Sequence, residues 1–185
     1  MMIVFKGFNK DLTCRGYQFH SDKINITDKA NCVANGFHAA ENPLDCLSYY
    51  PNMDKSVYWI CTALGDIDED GNDSKISCTE LALMKELTLG EFVRESLKYM
   101  QAHPLRPWNS RVYEEKAIAT DHFAIARGKN PKAKGELGTI IGLAKEVSGS
   151  SNILATALFE VDGEKIKPNV WYDLFGKVIE SEDDK

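Results

Sequence analysis

The sequence has no pair of cysteines at Cys-x-x-Cys spacing; its five, Cys14, Cys32, Cys46, Cys61 and Cys78, are odd in number and scattered. Ribbon-type zinc sites need close thiolate pairs, so no metal is expected, and the thiols are expected to be unpaired and buried as small apolar groups. No basic segment followed by an apolar core opens the chain, and nowhere do about 18 apolar residues run together. Neither a secretion signal nor a membrane span is therefore expected, and free thiols then point to a reducing cytoplasm. No basic patch offsets the formal net charge of −6, since Lys129, Lys132 and Lys134 form only a sparse cluster. Direct nucleic-acid binding is disfavoured on that balance. Gly-x-Ser-x-Gly, a phosphate-binding glycine loop and a His-x-x-x-His pair are all absent, which removes the ordinary hydrolases, nucleotidases and metalloenzymes.

What is present is enough apolar material for a core: 43% of the 185 residues are hydrophobic. The stretch Ala30 to Pro51 organises the rest. It holds a turn at Asn35-Gly36, an apolar run Phe37-His38-Ala39-Ala40, and a marked helix start. Asn42 can cap, Pro43 suits the first helical position, and Asp45 sits near the positive dipole end. Leu44, Leu47 and Tyr50 fall on one face, and Pro51 stops the helix.

Around that stretch, Met1 to Phe8, Cys14 to Phe19, Val57 to Leu64 and Lys75 to Leu83 read as strands, with Gly65 to Ser74 as a turn and an irregularity near Thr79-Glu80. Thr88 and Glu91 form a capping box ahead of an apolar stripe, Phe92, Val93, Leu97 and Met100, which predicts a helix. Pro104 and Pro107 then mark a boundary. Beyond it, Ala117-Ile118-Ala119-Thr120 is followed by Ala124-Ile125-Ala126-Arg127 and by Gly128, Gly135, Gly138 and Gly142. Small residues alternating with apolar ones suit a tight β-roll or solenoid rung. Thr139 to Glu146 and Ile153 to Val161 read as paired strands, and Ser181 to Lys185 as an acidic tail. The predicted fold is α+β: an antiparallel sheet with two helices over residues 1–105, then a β-rich part of short β-roll and hairpins over 106–180.

Phe5-Lys6-Gly7-Phe8-Asn9-Lys10-Asp11-Leu12-Thr13-Cys14-Arg15-Gly16, with Asn35-Gly36-Phe37-His38-Ala39 and Asn42-Pro43-Leu44-Asp45, resembles an uncharacterised domain family frequent in phage and prophage genomes of Gram-positive bacteria. The run Val161 to Pro168, followed by Trp171-Tyr172, is similar to that family's ending. Many relatives carry long Ala/Thr/Gly repeats, of which only Ala117 to Gly128 remains here. The resemblance implies a phage-encoded protein acting in the cytoplasm of an infected bacterium and implies no catalytic residues.

Three groups of residues are candidates for function. Asp66, Asp68, Glu69 and Asp70, ahead of Gly71, imitate a calcium loop, but the twelfth position, which needs a bidentate Glu, is Ser77, so an acidic hairpin turn, with Asp73 adding to its charge, is the plainer reading. Exposed, these carboxylates would compete with phosphates for Arg and Lys on a partner. Trp108, among Pro104, Pro107, Arg111 and Tyr113, reads either as a partner anchor or as a plug between the two halves. The element order is also faintly similar to ADP-ribosyltransferase-like domains, and that resemblance would give roles to Arg15 or His38, to Tyr49 and to Glu80. A lone histidine such as His38 is as readily a hydrogen-bonded core residue. The preferred expectation is a non-enzymatic phage accessory protein that binds and inhibits a host protein with a basic surface, without cofactor or membrane. A transferase-like enzyme or relic, and a structural phage component, are the alternatives.

Overall fold

The computed structural model describes residues 1–180 except Val33, Asp70 and Asn72. The chain forms two units, Met1–Thr88 and Leu89–Lys185. In the first lie β1 (Met2–Asn9), β2 (Thr13–Cys14), β3 (Tyr17–Gln18), β4 (Asn25–Ile26), β5 (Phe37–Ala40), a 3-10 helix Pro43–Ser48, β6 (Ser56–Glu69) and β7 (Lys75–Glu86). The long hairpin β6–β7 carries β1 on the free edge of one arm and β5 on the free edge of the other, in the order β4-β7-β5-β1-β6. Because β6 also pairs with β7, the strands close into a small barrel. Closure removes the open edges that a flat sheet would leave unpaired. The interior is Val4, Phe8, Phe37, Ala39, Cys61, Ala63, Ile76, Cys78, Leu81 and Leu83, with Phe19 packed among them.

The second unit begins with α1 (Leu89–Ala102), followed by β8 (Val112–Ala119), β9 (Phe123–Gly135), β10 (Ile140–Glu146) and β11 (Ile153–Glu160). Helix α1 starts directly after Thr88 and buries Phe92, Val93, Ser96, Leu97 and Met100, each large apolar side chain contributing about 1.5–3 kcal/mol of burial. Strands β8, β9 and β10 pair in parallel, with Val112 opposite Ile125 and Phe123 opposite Ile140. A parallel partner 13 and then 17 residues on, reached without a crossover helix, is the coil of a β-solenoid. Its core is the small-residue set Ala117, Ala119, Ala124, Ala126 and Ala133 beneath Ile141, Leu143 and Val161. β11 then runs antiparallel to β10.

The α+β expectation is corrected: the chain is mostly β, 47% strand and 11% helix, with one helix of seven residues or more. Two physical reasons account for it. Leu44, Leu47 and Tyr50 recur every third residue, which is the 3-10 period as much as one face of an α-helix, and Pro43–Ser48 is 3-10. Asn42 caps it as expected, its side chain accepting from the Leu44 N–H at 3.1 Å. The strands also run further than the turn residues suggest. β6 passes through Gly65, which adopts φ +67°, and continues to Glu69. Leu64 faces Glu80 and Ile67 faces Cys78, so three steps on β6 match two on β7, and the Asp66 N–H donates to Thr79 Oγ1 at 2.9 Å. That bulge is the irregularity expected near Thr79-Glu80, with its extra residue on the opposite strand. The acidic tail, residues 181–185, lies outside the described residues.

Candidate functional site

β1 is paired along its whole length with β6, and β5 along its whole length with β7, yet β1 and β5 meet at a single pair, Phe5 with Ala40. The barrel therefore has a split seam, and buried backbone groups at a split must find other partners. Two groups fill it. Tyr50 lies against Gly7 so closely that a methyl there would come within 2.7 Å of its ring. Across the seam, Lys6 Nζ donates to the His38 carbonyl oxygen at 2.6 Å.

Between these groups is a cavity of about 530 Å³, lined from β1, the β2–β3 hairpin, β5, the 3-10 helix and the start of β7. That volume is in the range of pockets that enclose a whole small molecule, about 300–1,000 Å³. Aromatic rings supply much of the wall. Tyr17 packs on Phe19 and Phe37 with centroids 4.7 and 4.9 Å away, and Phe19 lies 5.0 Å from both Phe37 and Phe8. Charge is distributed unevenly. Lys6, Arg15, Lys75 and His38 line the cavity and, among the described residues, no Asp or Glu does, in a chain whose net charge is −6.

Lys6 is the centre of this field. It is 5% exposed, and besides the His38 oxygen its ammonium has Cys14 Sγ at 3.6 Å and the rings of Phe8 and Phe19 at 5.3 Å. Aromatic faces and a carbonyl dipole offset part of the cost of burying a cation, but a buried cation ordinarily has a carboxylate. Near it three buried thiols and a phenol are held neutral. Burial pushes the Cys46 thiol up to about 12 and Cys78 to about 11, with Lys6 only partly reversing the effect. Cys61 is raised likewise by burial. The Tyr50 phenol is raised by burial first and then by the neighbouring Cys14 thiol. Buried thiols of this kind are inert rather than nucleophilic.

Arg15 lies at the tip of the β2–β3 hairpin, where Cys14 pairs with Tyr17 across the two residues Arg15 and Gly16, at φ +48° and +81°. Two positive φ values make a type I′ turn, whose first position favours Asn, Asp or Gly. An arginine there costs of order 1 kcal/mol in backbone strain. Its guanidinium makes no hydrogen bond or ion pair among the described residues, and it lines the cavity.

The residues singled out from sequence divide cleanly. Arg15, His38 and Tyr49 all line the cavity, and the Tyr49 hydroxyl accepts from Lys75 Nζ at 2.9 Å. Glu80 does not line it; it lies on β7 between Leu64 and Ile26. Asp66, Asp68, Glu69 and Asp73 sit on the β6–β7 hairpin, and Asp70 is outside the described residues. Asp68 accepts from the Cys32 N–H at 2.6 Å and Asp73 from the Lys75 N–H at 2.7 Å, so two of the acids serve the fold. Trp108 belongs to the second unit, where Arg127 stacks on it at 4.9 Å. Among the described residues no cluster of His, Cys, Asp and Glu could hold a metal ion, and no helix is long and apolar enough to cross a membrane. Sequence reasoning passed over Lys6, Cys14, Tyr17 and Tyr50. The signal for Lys6 was there: a single charge in the middle of the apolar strand Ile3-Val4-Phe5-Lys6-Gly7-Phe8.

No curated protein and no solved structure matches this chain. One family does, over residues 2–95, a span of half the chain that holds every residue lining the cavity. The chain belongs to the DUF7666 family of domains of unknown function.

Proposed function

We propose that the seam cavity binds a small anionic molecule and that the first unit works by holding it rather than by transforming it. The observation that carries the reading is Lys6, a cation 5% exposed that has no carboxylate neighbour among the described residues, on the wall of a 530 Å³ cavity lined by no described Asp or Glu. An anion entering there would complete a charge pair that the fold leaves unmade, in a site dry enough to strengthen it. The cavity wall also offers no carboxylate for acid–base work, and Glu80 is not part of it, which favours binding over transferase chemistry. Thermal unfolding in the presence of graded anions tests this. Small anions with an apolar body should raise Tm with concentration, as any ligand specific for the native state does, while neutral and cationic analogues should not. Equal stabilisation of the parent and of Lys6→Met would overturn it.

A second reading, a phage accessory protein that blocks a basic host protein through its acidic hairpin, is favoured by Asp66 and Glu69. Both are exposed and without an ion pair among the described residues. Reversing both to Lys should then slow capture of that partner and leave the cavity's ligand unaffected; unchanged capture would remove this reading.

A further inference from the structure

Building on the anion-binding reading of the cavity, we infer that its ligand is a single nucleotide: a phosphate monoester held by Lys6 and Arg15, carrying a planar base held against Tyr17 and its aromatic neighbours. Three features of the wall narrow the anion to this class. The first is charge count. Lys6, Arg15 and Lys75 come from three separate elements, and among the described residues no carboxylate lines the cavity. A carboxylate ligand brings one negative charge, whereas a phosphate monoester brings nearly two near neutral pH and so matches better. Lys6 Nζ has three donors, one directed at the His38 oxygen and one at Cys14 Sγ, which leaves one for a ligand oxygen. Arg15, with no hydrogen bond of its own, can present its planar fork to two phosphate oxygens at once.

The second feature is the body of the ligand. Away from the cations the wall is Phe19, Phe37, Ala39 and Ala40, with Tyr17 and Tyr49 being 38% and 49% exposed. A sugar phosphate would turn hydroxyls toward Phe19, Phe37, Ala39 and Ala40, whose side chains neither accept nor donate, at a desolvation cost. A base has apolar faces for stacking and a polar edge, and stacking on an aromatic ring tolerates any base. The third is turn strain. Arginine at φ +48° occupies a turn position that asparagine would fill with less strain, so the side chain is present for its charge at the cavity.

Calorimetric titration of the full chain separates the outcomes. The probes are adenosine and uridine 5′-monophosphates, adenosine, inorganic phosphate, glucose 6-phosphate and indole-3-acetate. The expected result is one site for at least one nucleotide, with adenosine and inorganic phosphate each at least about ten-fold weaker, since neither spans both halves of the site. Lys6→Met and Arg15→Asn should each weaken the nucleotide about ten-fold or more. Arg15→Asn keeps the test sound if Lys6→Met does not fold, because asparagine suits the turn. Binding of glucose 6-phosphate as tight as that of the nucleotides would overturn the base. Binding of indole-3-acetate without any nucleotide would overturn the nucleotide while the anion cavity stands. Binding of none of the six would bring down both.

Discussion

Lys6 and Arg127 are both buried cations, 5% and 1% exposed, and the two units of the molecule treat them in opposite ways. Arg127 Nε donates to Glu146 Oε1 at 2.8 Å, and one terminal nitrogen donates to the carbonyl oxygens of Pro104 at 2.7 Å and Ser151 at 2.9 Å. Its guanidinium also lies over Trp108. Its charge is answered within the second unit by a carboxylate, two carbonyl oxygens and a ring, so it can tie Pro104, Glu146 and Ser151 together without any ligand. Lys6 has one carbonyl, one thiol and two rings, and an open cavity where a carboxylate would be expected. A cation answered in place stabilises a fold; a cation left short of its counter-charge is kept for something that arrives.

Among single substitutions the largest effect should come from breaking the answered site. Arg127→Met leaves the Glu146 carboxylate, 18% exposed, and two carbonyl oxygens without their donor. Loss of one partner of a buried pair costs about 3–5 kcal/mol, to be read from urea unfolding. Lys6→Met should change stability by about 1 kcal/mol or less in either direction, since it strands one carbonyl but relieves a buried charge. If both substitutions destabilise equally, the contrast between the two cations is gone.

Next in size is the packing of the seam. A methyl at Gly7 would approach the Tyr50 ring to 2.7 Å, so Gly7→Ala should shift Tyr50 into the cavity and cost about 1–3 kcal/mol. Ligand binding should fall with it. Stability lost with binding retained would mean that the cavity against Tyr50 is not the site.

The thiols sharpen the comparison through pH. Cys46 and Cys78 sit at about 12 and about 11 in the fold, against an ordinary value of 9.0. Above pH 9 the unfolded chain loses these protons while the folded one keeps them, so the folded state binds more protons and stability falls as pH rises. Each thiol contributes a slope of about 1.4 kcal/mol per pH unit between 9 and its folded value, and full stability is present below 9. Guanidinium melts from pH 8 to 11 should show the decline in Met1–Thr88, where all five cysteines lie. A flat profile would show that the seam admits water and thiolate.

Much of this was legible and some was not, for identifiable reasons. The Asn42-Pro43 helix start, the strands of the long hairpin and the alanine rungs of the solenoid follow from caps, β-branched runs and small-residue spacing, all of which are local. The helix type is not local in the same way: Leu44, Leu47 and Tyr50 fit both the α and the 3-10 period, and the spacing alone does not separate them. Arg15, His38 and Tyr49 were picked out and do line one cavity; Glu80 was picked with them and does not. What no local pattern conveys is that β1 and β5 touch at one pair only. The cavity is a consequence of barrel closure, a long-range event, and Lys6 gains its meaning only from the carboxylate that closure fails to supply.

The smallest expected effect concerns two turns that repeat the same contrast. Arg15 in the first unit and Glu115 in the second both hold positive φ, +48° and +57°. Glu115 is compensated: its carboxylate accepts from the backbone N–H groups of Lys129 at 2.7 Å and Asn130 at 2.9 Å. It closes a bulge between β8 and β9, where the register shifts beside Lys116. Arg15 has no such bonds. Asparagine tolerates the left-handed region better than either residue. Arg15→Asn should therefore stabilise the protein by about 0.5–1 kcal/mol, because strain is relieved and no hydrogen bond is lost. Glu115→Asn should destabilise it by about 1 kcal/mol or more, because the shorter side chain abandons two backbone donors. Opposite signs in paired urea melts are the expected outcome. Destabilisation by Arg15→Asn would mean that the guanidinium has a structural bond of its own, and the case for holding it in reserve for an anion would fall.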